Sequence, residues 1–146
     1  MIVCRHATDE EMNSIMALVI RTFNGEQDIP EDMNYLPPDK QPQWFCAEED
    51  EKLIGTIAFF KEDDGWHAGR FALEPACRGR HIGTRLASYA FSEMFSSGVG
   101  EIVMEARPTT VHILTKLGAQ AIGEPFPFYS STCTPMRMKR EDFHPL

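Results

Sequence analysis

Apolar positions change period several times along the chain, and each change marks an element. Residues 2–4 are a short apolar run, expected as an opening strand. Thr8-Asp9-Glu10-Glu11 has the Ser/Thr-x-x-Glu form of a capping box, in which the two side chains satisfy backbone N–H groups at a helix start. Met12, Ile15, Met16, Val19 and Phe23 follow at helical spacing, predicting an amphipathic helix over 9–22 that Asn24-Gly25 ends. Residues 26–42 are rich in Pro, Asp and Glu with isolated apolar residues. They read as a loop, or a short helix near 31–36 stopped by Pro37-Pro38.

Strand patterns occupy the middle. Residues 43–48, 52–61 and 67–73 form an expected antiparallel meander, joined by the charged turns at 49–51 and 61–65. Charge at such hairpin tips is solvated and opposes edge aggregation, which is the simpler reading of these acidic clusters than a metal site. A helix is predicted from about Ile82 to Ser96, with Ile82, Leu86, Tyr89, Ala90 and Met94 facing inward. Residues 101–106 form a strand, and a second helix opens at Pro108 and stops at Gly118. Residues 120–123 and 135–138 read as closing strands, with the aromatic and hydroxyl-rich stretch 126–134 as a loop between them. The pattern predicts an α/β (α+β) fold: a mixed, mostly antiparallel central sheet flanked by helices.

The chain has 146 residues, which suits one domain spanning 1–146. Its hydrophobic class makes up 42%, enough for a core without a metal or disulfide staple. Cys4, Cys46, Cys77 and Cys133 are scattered with no Cys-x-x-Cys pair, so four reduced thiols in a cytoplasmic protein, and no metal, are expected. No secretory h-region or membrane span is visible. The net charge of −8 argues against nucleic acid as a partner, because that affinity rests on neutralising phosphates with Lys and Arg.

Against that acidic background, residues 71–86 stand out: a strand, then a turn holding Gly79, Gly83, Arg78, Arg80 and Arg85, then a helix. The first turn of a helix leaves N–H groups without intrahelical partners, and its dipole favours anions. Gly79 and Gly83 let the backbone approach closely. A pyrophosphate would fit there. Neither a Gly-x-Gly-x-x-Gly nor a Gly-Lys-Ser/Thr signature is present, so the dinucleotide and Walker folds are disfavoured.

The segment from Arg70 to Leu86 resembles the acetyl-CoA motif of the GNAT superfamily of N-acetyltransferases, [QR]-x-x-G-x-[GA]. Arg78 fills its first position and Gly83 its last; His81 stands where the family usually has a middle glycine. Lys116-Leu117-Gly118-Ala119 resembles the K-L-G-F end of the family's next helix. Phe23 with Glu26-Gln27-Asp28-Ile29-Pro30 resembles the F-x-x-E-Q-x-[IV]-P stretch of an ElaA-like subgroup. Thr134-Pro135-Met136-Arg137-Met138 resembles that subgroup's I-P-H-x-x-M.

The resemblance implies a cofactor, acetyl-CoA, and places it residue by residue. Its pantetheine arm would pair with the backbone of Phe71, Ala72 and Leu73. Its pyrophosphate would take N–H groups from Arg78, Gly79, Arg80, His81, Ile82, Gly83 and Thr84. Its thioester would point into the splay between strands 67–73 and 101–106. The acceptor amine would enter past residues 24–36 and 126–134. The tyrosine that often protonates the leaving thiolate in this family aligns with Leu114, which has no proton to give. The thiolate may therefore leave unaided, another residue may act, or the protein binds acyl-CoA and catalyses poorly. Glu26 is the preferred base candidate and Tyr129 a candidate acid. His112 and Cys133 are weaker alternatives; His112 sits about 200° around the helix from Leu114. Strand alternation would put His67 on one face with Gly69 and Phe71. Arg107 could contact phosphate or a substrate carboxylate.

The expected function is acetyl transfer from acetyl-CoA to a primary amine of a small molecule or peptide, by direct attack in a ternary complex. A longer-chain acyltransferase, resembling the acyl-homoserine-lactone synthases, and a non-catalytic acyl-CoA-binding regulatory module are the alternatives. Glu26, Asp28, Glu31, Asp32, Phe128 and Tyr129 would suit a cationic acceptor such as a polyamine or lysine side chain. No membrane partner is expected, and a homodimer remains open.

Overall fold

A computed structural model describes residues 1–146, apart from the side chains of Glu31 and Asp32. Eight strands form the sheet: β1 (Ile2–His6), β2 (Gln43–Glu49), β3 (Lys52–Glu62), β4 (Gly65–Leu73), β5 (Glu101–Ala106), β6 (Gln120–Ala121), β7 (Phe126–Phe128) and β8 (Ser131–Lys139). The order is β1-β2-β3-β4-β5-β8-β6, and β7 pairs with β8 off this path. Every pairing is antiparallel except that of β4 with β5. Parallel neighbours need a crossover, and the helix α2 (Ile82–Ser96) supplies it.

Two apolar layers cover the sheet. On one face α2 buries Ile82, Leu86, Ala90, Phe91 and Met94 against Phe45, Ile57, Phe59 and Met136. Phe59 meets Phe45 and Phe91 edge-on at 5.6 and 5.0 Å, a geometry worth about 0.5–1.5 kcal/mol per pair beyond burial. Helix α3 (Pro108–Lys116) adds Leu114 to the same layer. On the other face α1 (Met12–Ile20) buries Ile15 and Val19 against Trp44 and Ala58.

Most predicted elements are present, with instructive departures. The helix expected over 9–22 opens as a 3-10 turn at Asp9–Glu11, where the Glu11 carboxylate accepts the Thr8 N–H at 2.9 Å. It then runs on past Asn24-Gly25 as a π-turn over Arg21–Glu26. The expected 126–134 loop is instead a hairpin: β7 pairs with the start of β8, and Tyr129, at φ 53°, makes the reversal. Alternating aromatic residues favour that pairing, and only a left-handed residue lets so short a turn close. The strand expected over 120–123 is confined to Gln120–Ala121.

A fourth departure shapes the site. Arg70 lies at φ 54°. The register moves from Ala58↔Gly69 to Thr56↔Ala72, so β4 carries an extra residue opposite β3. Such a bulge inverts the alternation beyond it. Phe71 and Leu73 therefore share the α2 face with Trp66 and Ala68. His67, expected beside Phe71, sits against Phe60 and pairs with Asp64 at 2.7 Å.

Candidate functional site

Strands β4 and β5 pair only over Trp66–Ala68 and Ile102–Met104. Beyond those positions they splay, and from Gly69 onward β4 has no strand partner on its β5 side. A cleft of about 750 Å³ opens there. One wall is β4 from Ala68 to Leu73, the other is Met104 to Thr110, and α2's first turn closes one end.

At that end the backbone is arranged for an anion. Arg85 is the first α2 residue whose N–H finds an acceptor, the His81 carbonyl at 3.2 Å. The N–H groups of Ile82, Gly83 and Thr84 are left pointing out of the helix. The helix is brought close to the strand at Gly83: a Cβ there would stand 3.1 Å from Leu73 Cδ1 and 3.3 Å from both Phe71 Cζ and Ile113 Cδ1. His81, at the position where a glycine was expected, adopts the left-handed conformation itself, at φ 62°, and its side chain is exposed. Histidine is among the residues that tolerate this region, so the loop keeps its turn at some backbone cost.

Of the ten residues expected around the cofactor, nine line this cleft: Phe71, Ala72, Leu73, Arg78, Gly79, His81, Ile82, Gly83 and Thr84. The tenth, Arg80, turns away to Glu49 in the β2–β3 hairpin, with contacts of 3.1 and 2.6 Å. Arg78 lines the cleft, but its guanidinium is bidentate to Glu26 at 2.8 and 3.1 Å and also donates to the Leu73 carbonyl at 3.0 Å.

The two expected catalytic side chains lie outside the lining. Glu26 is held by Arg78. Tyr129 is 51% exposed, and its hydroxyl donates to Met33 Sδ at 3.2 Å. Cys133 is buried, and burial pushes its thiol up, which leaves it unreactive. Cys46 is pushed up to about 11 by burial. Leu114 is 2% exposed, and His112 is exposed at the cleft's margin. Among the described residues, no group of three or more His, Cys, Asp or Glu side chains is placed to hold a metal ion.

Other groups converge there; sequence reasoning named Arg107 among them and missed Thr22, Arg70 and Glu105. Glu105 is the only carboxylate among the described lining residues. It alternates on β5 with buried Met104 and Ala106, so it faces away from the α2 core. Arg70 and Arg107 come from opposite walls. Thr22 and Gln27 enter from the π-turn and the residue after it, and Thr22 Oγ1 and Gln27 Oε1 are buried without a hydrogen-bond partner. Of the acidic segment's described side chains, neither lines the cleft: Glu26 is engaged by Arg78 and Asp28 is exposed at φ 60°; Glu31 and Asp32 lie outside the described side chains. The only advance signal for Glu105 was its polar place in an apolar strand.

Comparisons with known proteins agree with this architecture. The family model described as Acetyltransferase (GNAT) family matches residues 12–119. No curated protein matches the chain in sequence. Among solved structures, Escherichia coli ElaA aligns with a TM-score of 0.77 at 15% identity, covering 95% of this chain and 99% of that one. An acyl-CoA N-acyltransferase from Pseudomonas aeruginosa aligns at 0.75 and 18%, covering 94% and 97%. FeeM, an N-acyl amino acid synthase from uncultured soil microbes, aligns at 0.76 and 15%, covering 97% and 92%.

Proposed function

Because the chain belongs to the acetyltransferase (GNAT) family, we propose that it transfers an acetyl group from acetyl-CoA to a primary amine by direct attack. The observation that carries this reading is the single cleft joining an anion-binding helix end to the open edge of β4 and on to the splay. The thioester supplies an acyl carbonyl activated toward amines. As the C–N bond forms, the C–S bond breaks, the amine loses a proton and coenzyme A leaves as the thiol.

The chain's residues divide the remaining work. Ile82, Gly83 and Thr84 N–H groups hold the pyrophosphate. The unpaired β4 edge at Phe71, Ala72 and Leu73 hydrogen-bonds the pantetheine amides. Backbone N–H groups of β4 beyond Ala68, left without a strand partner on the β5 side, would serve a developing oxyanion in the splay. Glu105, directly or through one water, takes the amine proton, a contribution of about 10²–10⁴-fold. Leu114 gives the thiolate no proton, so it leaves unaided from that side.

A longer acyl chain is the second reading. It is favoured by the apolar floor of the cleft, which Ile57, Ala68, Phe91 and Met104 line. Calorimetric titration with acetyl-CoA and with acyl-CoAs of increasing length tests both. Micromolar binding that Gly83→Val abolishes, in a variant with wild-type circular dichroism, is expected. Undiminished binding by Gly83→Val, or none by the wild type, would overturn the reading.

A further inference from the structure

The acceptor end of the cleft has a charge and hydrogen-bonding pattern that narrows its substrate. Arg70 and Arg107 stand on opposite walls of the splay. Arg70 donates through Nε to the Asn34 carbonyl at 3.1 Å and through Nη2 to that of Met33 at 3.0 Å, and lies 5.4 Å from the Phe60 ring centroid. Arg107 donates to the Phe128 carbonyl at 3.4 Å and lies 5.8 Å from the Phe128 ring centroid. Among the described residues, neither has a carboxylate within 4.0 Å. Glu62, which acts on Arg70 at longer range, is paired with Lys40.

This sets the two arginines apart from four others of the chain. Arg5, Arg21, Arg78 and Arg80 each have a carboxylate partner. A guanidinium carries five N–H donors, so Arg70 and Arg107 keep donors to spare after their carbonyl bonds. A partly buried charge facing only carbonyls and rings is incompletely compensated. Burial indeed pushes Arg70 down from its ordinary value.

A second observation is independent of charge. Thr22 is 3% exposed and its Oγ1 has no partner, nor has the buried Oε1 of Gln27. A helical threonine usually returns its hydroxyl to a carbonyl one turn back, and a buried polar atom left unpaired costs about 1–3 kcal/mol. Both atoms can accept an N–H from a bound molecule. Beside them, Ser130 Oγ donates to the Gln27 carbonyl at 3.1 Å and the Tyr129 hydroxyl to Met33, contacts that tie the β7–β8 hairpin to the segment carrying Gln27.

We infer that the acceptor is an amino acid: Thr22 Oγ1 and Gln27 Oε1 receive the N–H groups of its amine, and Arg70 and Arg107 bind its carboxylate. This rests on the acyltransferase reading above and replaces the polyamine or lysine side chain expected from the acidic loops.

The test is a paired panel with acetyl-CoA as donor and free-thiol release as readout: phenylalanine against phenethylamine, leucine against isoamylamine, histidine against histamine and lysine against cadaverine. At least one amino acid should exceed its decarboxylated partner in kcat/KM by tenfold or more. Arg107→Met should collapse that ratio by raising KM for the amino acid at least tenfold more than it raises KM for the amine. Thr22→Val, which keeps the shape and removes the hydroxyl, should raise KM for both members of a pair. Amines turned over as well as their amino acids, or an Arg107→Met loss equal for both, would overturn the inference. So would a protein that binds acetyl-CoA by calorimetry and turns over no member of the panel. A folded protein that does not bind acetyl-CoA would instead overturn the underlying reading, and the two failures are told apart in the same samples.

Discussion

The Glu26–Arg78 pair separates two roles for one carboxylate, because they predict effects of opposite sign. The perturbation is Glu26→Gln. If Glu26 were the base, kcat would fall by about 10²–10⁴-fold with acyl-CoA affinity unchanged. The structure places it instead on the guanidinium nearest the anion site, at 2.8 and 3.1 Å, with the two side chains 43% and 37% exposed. An ion pair this exposed is worth about 0.2–1 kcal/mol, which a phosphate must offset to recruit Arg78. A carboxylate beside a doubly charged pyrophosphate adds on the order of 1 kcal/mol of repulsion in water, roughly halved by physiological salt. Removing both terms tightens acetyl-CoA binding by roughly 3- to 10-fold. Calorimetry on wild type and variant at two salt concentrations measures it, beside steady-state thiol release. Glu105→Gln is the companion: kcat should fall about 10²–10⁴-fold with acyl-CoA Kd unchanged. A hundredfold loss of kcat in Glu26→Gln with constant Kd would refute the reasoning and return the base to Glu26.

Two further outcomes concern the scaffold. Gly118, at φ 111°, ends α3 against the C-terminal segment, and a Cβ there would lie 1.9 Å from the Asp142 carbonyl oxygen. No rotamer change relieves a backbone clash. Gly118→Ala must therefore loosen the Leu117–His144 hydrogen bond of 2.7 Å and the packing of Phe143 on Phe95, at about 3 kcal/mol or more. Thermal melts should show a drop of roughly 6–12 °C, and a change under 2 °C would contradict the account. Glu11 is held at about 2, against an ordinary 4.5, chiefly by hydrogen bonds from Arg5. Its folded value is depressed, so its stabilisation is present above pH 4.5 and is lost as pH falls toward 2. Urea midpoints should fall between pH 5 and pH 3 in the wild type and fall less in Glu11→Gln; parallel curves would exclude the pair as a cause.

How much of this was legible in the chain depends on the range of the interactions involved. Strand β5 was predicted with the bounds it has, Glu101–Ala106, and helix α2 with its end at Ser96, because their periodicity is local. The anion-binding turn was legible for the same reason: glycines, arginines and a helix start within a few residues carry its chemistry by themselves. The order of motifs along the chain likewise pointed to the GNAT family, which the family model's match over 12–119 shows. What the tertiary structure decided is which residues meet. The extra residue at Arg70 is defined only by its register against β3, so the alternation read along β4 alone grouped His67 with Phe71, which the bulge places on opposite faces. The pairing that turns 126–134 into a hairpin belongs to β8 as much as to β7. Glu26 looked free for catalysis until folding brought Arg78, 52 residues away, against it. Thr22, Arg70 and Glu105 carry no local signature, and nothing local joins them to Gln27 and Arg107. They share a cleft only because β4 and β5 pair for three residues and then part, and a splay between strands is a property of the sheet that no single segment encodes.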